Sequence, residues 1–118
     1  MDRIGEGQSE AKVKAAPLLD PVQLNRRTHG NASLQVEVLA LFVTEVERLM
    51  MQVEDAADPQ LRGDRLRALT ALARNTGAAL LAEQARAAET QIGDGVPDLT
   101  ALKEAVANTL AFIRRTGV

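Results

Sequence analysis

The chain brings one imidazole and no thiol to any reaction: its 118 residues include a single histidine, His29, and no cysteine, tryptophan or tyrosine. Without cysteine there is no disulfide, no thiol nucleophile, no iron–sulfur cluster and no Cys/His zinc site. A histidine-based triad would have to pass through His29. That residue stands beside Gly30 and Asn31, a setting that reads as a polar turn. Carboxylates are the remaining route to a reactive centre. Metal sites in helical bundles use inward glutamates together with Glu-x-x-His pairs, and no such pair occurs. Glu45 with Glu83 or Glu89 reads instead as solvated acidic surface. Gly93 and Gly95 are followed by Pro97, without the lysine or the spacing of a phosphate loop. The inventory therefore assigns no catalytic residue, no metal and no cofactor. Arg62, Arg65, Arg67, Arg74 and Arg86 gather positive charge on the middle of the chain. Such arginines ordinarily solubilise a helix or pair at i,i+4, and the other use for them is an acidic partner.

The bulk numbers narrow the classes further. A net charge of −2 supplies no field for nucleic acid or an anionic membrane surface. Aromatics at 2% leave no stacking platform for single strands. No apolar run approaches the roughly 20 residues of a membrane span, and the polar stretch Met1 to Lys14 is unlike a secretory signal. A cytoplasmic protein is the expectation. The length suits one domain with its own core.

The elements that must position these residues read as helices throughout. Residues 1–16 lack apolar periodicity and are expected to form a flexible arm ahead of a domain at 17–118. Asp20-Pro21 is a cap followed by a proline at the first helical position, opening a short helix to about Arg27. Asn31 or Ser33 caps the next helix, which runs to about Ala57 with Val38, Leu39, Phe42, Val46, Leu49, Val53 and Ala56 on one stripe. Asp58-Pro59 repeats the start signal. Gly63 then costs about 1 kcal/mol relative to alanine and predicts a frayed first turn with a restart at Asp64. Leu66, Leu69, Leu72 and Ala73 carry this helix to a break at Thr76-Gly77. An alanine-dense helix follows from Ala78 to about Gln91, a loop spans 92–97, and Asp98 caps a last helix bearing Leu99, Leu102, Val106, Leu110 and Ile113. The pattern predicts an all-α fold: an antiparallel four-helix bundle with a short N-terminal helix.

The order of these residues resembles the histidine phosphotransfer (HPt) domain of bacterial phosphorelays. In that family an acidic residue ends a long helix, and about nine residues later an accepting histidine opens a His-x-Leu-Lys-Gly-Ser signature. A Gly-Ala pair, a leucine and a glutamate follow on the next helix. Asp58, Leu69, Gly77-Ala78, Leu81 and Glu89 stand at those places, and His29-Gly30-Asn31 with Val38-Leu39 and Phe42 is similar to the upstream turn and long helix. The resemblance covers about Leu19 to Glu89, and most of its positions are helix-packing residues. It departs at the chemistry. Arg67 occupies the histidine position, Thr70 the lysine and Ala71 the glycine. A guanidinium stays protonated and cannot accept a phosphoryl group as a neutral imidazole nitrogen does.

The resemblance implies a non-catalytic pseudo-phosphotransfer domain of two-component signalling that binds a response-regulator receiver domain or a histidine kinase. The face expected to do so carries Arg67, Thr70, Ala71 and Arg74, which share a helix side by their three-and-four spacing. Arg67 would pair with the acidic pocket of a receiver. A second reading is a structural four-helix module with no phosphorelay role, forming a homodimer or packing against a larger protein, for which the flat alanine face of the fourth helix offers a mechanism. A third is an active phosphotransfer protein that uses His29.

Overall fold

The structure, a computed structural model, describes residues 18–92 and 97–115. The expected arm at 1–16 and most of the expected loop at 92–97 lie outside the described residues. Five helices follow one another: α1 (Pro21–Arg27), α2 (Ala32–Asp55), α3 (Pro59–Thr76), α4 (Ala79–Thr90) and α5 (Thr100–Arg115). No strand occurs among the described residues.

Local chemistry places most of the helix ends. The Asp20 carboxylate accepts from the Val22 and Gln23 amides, with Pro21 in the first turn. Asn31, rather than Ser33, caps α2 by accepting from the Leu34 amide. Asp58 accepts from the Gln60 amide ahead of Pro59. Each such cap contributes about 1 kcal/mol by satisfying an orphan amide. The expected fraying at Gly63 does not occur: α3 is continuous and Gly63 is buried within it. The Asp58 cap and the hydrophobic contacts downstream outweigh the local preference of one glycine. At the far end of α3, Gly77 takes a left-handed φ of 91° and terminates the helix. Asp98, expected as the α5 cap, accepts from the Thr100 amide at 3.0 Å, but the first backbone bond of α5 runs from the Lys103 amide to the Leu99 carbonyl, so Asp98 stands one residue ahead of the cap position.

The expected stripes meet in one core. Leu39, Phe42, Val46, Leu49 and Val53 of α2 are buried with Leu66, Leu69 and Ala73 of α3 and with Leu81, Ala82, Ala85 and Ala88 of α4. Leu102, Ala105, Val106, Leu110 and Ile113 complete the core from α5. Val38, Leu72 and Leu99 are partly buried at its margin, and Met50 joins it beyond the expected stripe. Neighbouring helices pack α2 on α3, α3 on α4 and α4 on α5, and α5 returns to touch α2. Ion pairs Glu54–Lys103 at 3.1 Å and Glu47–Arg114 at 3.2 Å join that last contact. The acidic partner falls along α2 as the basic one rises along α5, so these two helices run antiparallel.

The short α1 is clamped to the end of α3. The Gln23 side-chain amide donates to the Arg74 and Asn75 carbonyls at 2.7 and 3.1 Å. The Asp20 amide donates to the Gly77 carbonyl at 2.9 Å. These bonds give the Asn75 and Gly77 carbonyls a partner past the end of α3, and the Arg74 carbonyl, which also accepts from the Gly77 amide at 3.2 Å, a second one.

Candidate functional site

Helices α3 and α4 are joined by a tight turn at Gly77-Ala78, and their antiparallel course brings residues far apart in sequence side by side. Arg67 stands on α3 with its side chain 67% exposed. Its Nε donates to Glu89 Oε2 of α4 at 3.1 Å, and Nη1 donates to Asp64 Oδ1, one turn earlier on α3, at 3.2 Å. Glu89 is the more sheltered partner, with its side chain 24% exposed. The guanidinium is therefore held in place by two carboxylates, and two of its three nitrogens already donate. Pairs this exposed contribute at most about 1 kcal/mol. Their consequence is positional: Arg67 lies along the α3–α4 seam.

The four residues expected to share one face divide. Arg67, Ala71 and Arg74 are exposed. Thr70 is not: it is 6% exposed and its hydroxyl donates to the Leu66 carbonyl at 2.9 Å. Residues at i, i+4 and i+7 lie within a narrow arc of a helix, whereas i+3 here falls on the core side of that arc. Thr70 thus supports α3 from within and is removed from the contact face. Arg74 has no ion-pair partner among the described residues. It remains the uncompensated cation of this face.

The other arginines take different duties. Arg62 donates to the Val53 carbonyl at 3.2 Å and to the Ala56 carbonyl, so it caps the C-terminal end of α2 from the start of α3. A cation at that end also complements the helix dipole. Arg48 pairs with Glu45, whose carboxyl is lowered from its ordinary pKa chiefly by the hydrogen bond from Arg48. Glu45 and Glu89 are each engaged by an arginine, and among the described residues no trio of histidine, aspartate and glutamate gathers as a metal site would.

His29 lies in the turn between α1 and α2, exposed, with a left-handed φ of 53°. Its backbone amide donates to the Arg26 carbonyl at 3.4 Å. The turn is as expected, and the side chain has no described acid or base bonded to it. Of the alanines expected to give the fourth helix a dimer surface, Ala78, Ala82, Ala85 and Ala88 turn inward and are at most 4% exposed, while Ala79 and Ala87 are exposed. Small residues let α4 approach its neighbours closely, and that use takes up the inward alanines within the chain itself.

Two contacts at this site escaped the sequence reading. Asp64 was detectable, because aspartate and arginine at i,i+3 are neighbours on a helix. The bond from Arg67 to Glu89 was not, since nothing local joins residues 22 positions apart. No helix of the described residues is long and apolar enough to cross a membrane. Comparison with protein-family models, characterised proteins and solved structures gives no match to this chain.

Proposed function

We propose that this chain is an HPt-like four-helix bundle that has lost phosphoryl chemistry and works in two-component signalling by binding a receiver domain or histidine kinase. The bundle reading is supported by the closed circuit of contacts from α2 through α3 and α4 to α5 and back to α2. The functional reading rests on one observation above the others. The position where the resembled family carries its nucleophile holds Arg67, an exposed guanidinium oriented across the α3–α4 seam by Asp64 and Glu89. A cation so placed can meet a carboxylate but cannot accept a phosphoryl group. Ala71 leaves room beside it for the approach of a partner, and Arg74 adds a charge that no described acid neutralises.

The test is binding of the whole chain to purified receiver domains, phosphorylated and unphosphorylated, by titration calorimetry. Arg74→Glu should weaken binding by roughly tenfold or more, about 1.4 kcal/mol. Arg67→Glu should also weaken it, because the reversed charge faces both Asp64 and Glu89 as well as the partner. Binding that neither variant changes, or an absence of binding to any receiver or kinase, refutes the proposal. Transfer of acid-labile phosphate to the chain, abolished in His29→Ala, would favour the active-protein reading in its place.

A further inference from the structure

Where α2 gives way to α3, a shallow groove of about 270 Å³ is lined by Met51, Gln52, Asp55, Ala56, Leu61 and Arg65. Two large apolar side chains stand open there: Met51 is 63% exposed and Leu61 is 40% exposed. An isolated exposed apolar residue is ordinary, but two meeting at one groove from two helices form a patch. The patch is edged by charges of both signs. Asp55 and Arg65 both line the groove, and neither ion-pairs with any described residue. This sets Arg65 apart from Arg48, Arg67 and Arg114, which all have carboxylate partners, and from Arg62, which is used in capping.

An apolar centre bordered by one free acid and one free base is complementary to itself. Under a two-fold axis through the groove, Met51 and Leu61 of each copy meet at the middle. Arg65 of each copy then faces Asp55 of the other, giving two equivalent ion pairs that the single chain does not form. Isologous contacts of this kind, in which residue i meets j and j meets i, are the commonest way for a chain to pair. We infer that this groove is the interface of a homodimer, with a second copy of the chain as its occupant. The interface lies away from the Arg67–Ala71–Arg74 face: on α3, Leu61 and Arg65 lie on the side toward α2, while Arg67 lies on the side toward α4. Dimerisation therefore leaves that face open and does not depend on its function.

Sedimentation equilibrium of the whole chain across a concentration series tests the inference, with helical circular dichroism as the control for folding. The wild type should pass from one to two protomer masses as concentration rises. Met51→Glu and Leu61→Glu, both at exposed positions that the fold tolerates, should each weaken association by roughly tenfold or more. Leu41→Glu is the control, since Leu41 is 70% exposed elsewhere on α2 and should leave association unchanged. Asp55→Arg alone and Arg65→Asp alone should each be monomeric, whereas an equimolar mixture of the two should form a dimer. Only an ion pair between chains predicts that rescue. A chain that stays monomeric at every concentration overturns the inference. So does a mixture that sediments no differently from its components, or a Leu61→Glu variant that associates as the wild type does.

Discussion

Arg67 carries the functional argument at the scale of single residues, and its neighbours decide what it can do. Two carboxylates hold the guanidinium along the seam, so its value lies in orientation, and Arg74 is the cation of the face that has no ion-pair partner among the described residues. Thr70 illustrates the opposite outcome, a polar residue on the expected face whose hydroxyl is consumed by its own helix. The same local chemistry sets the acid response of the chain at Asp98. Its carboxyl lies below the ordinary aspartate value of 3.8, first because the Thr100 amide donates to it and then because the Thr100 side chain does. A depressed folded value means that the stabilising contribution is fully present above 3.8 and is lost as pH falls through the folded value. Asp98→Asn keeps an acceptor but removes the charge. It should be less stable than wild type at neutral pH, with the gap closing as the solution is acidified below the carboxylate range. Urea midpoints measured over a pH series check this, and a gap independent of pH would sink it.

Helix boundaries were largely legible, because caps act on their own neighbours. Asp20-Pro21, Asn31 and Asp58-Pro59 each bond the amides just downstream, which is information held within four residues of sequence. Glycines are harder to judge from sequence, since the same residue serves different ends. Gly63 sits in an ordinary helical turn, and a Cβ built there meets nothing within 4 Å. Gly77 has a φ of 91°, and a Cβ there would stand 3.2 Å from the Asp20 Cβ and 3.3 Å from its amide nitrogen. Gly63→Ala should therefore raise stability by up to about 1 kcal/mol through helix propensity. Gly77→Ala should lower it by about 1–2 kcal/mol for the left-handed backbone alone, and by more where the Asp20 segment is displaced. Denaturant unfolding of the two variants side by side reads the opposite signs directly. Two destabilised variants would show that the space beside Gly63 is not free.

Across the whole molecule the core is built mostly of leucine and alanine, with Phe42, 2% exposed, as its large aromatic component. Alanine has no rotamers with which to fill a void, so a cavity made here closes poorly. Phe42→Ala should cost about 3–5 kcal/mol, a large share of the roughly 5–15 kcal/mol available to a domain of this size. Thermal unfolding should show a strongly lowered midpoint with the helical signal retained below it. A loss under 1 kcal/mol would mean that the core relaxes around the missing ring. The arrangement of helices also reassigns the surfaces. Ala78, Ala82, Ala85 and Ala88 line the interior while Ala79 and Ala87 stay outside, and an exposed apolar patch appears at the α2–α3 groove.

Sequence alone determined what acts over one or two turns: the all-helical class, the starts capped by Asp20, Asn31 and Asp58, the stop at Gly77 and the apolar stripes. Each of these follows from backbone hydrogen bonding and a 3.6-residue period, both of which are local. Only the tertiary structure decided which charges cancel and which remain free. Arg67 meets Glu89 of another helix, Arg62 is drawn into capping α2, and Arg65 and Arg74 are left without acids among the described residues. Charge pairing depends on distances between helices, and those distances are set by how the core packs rather than by any spacing along the chain.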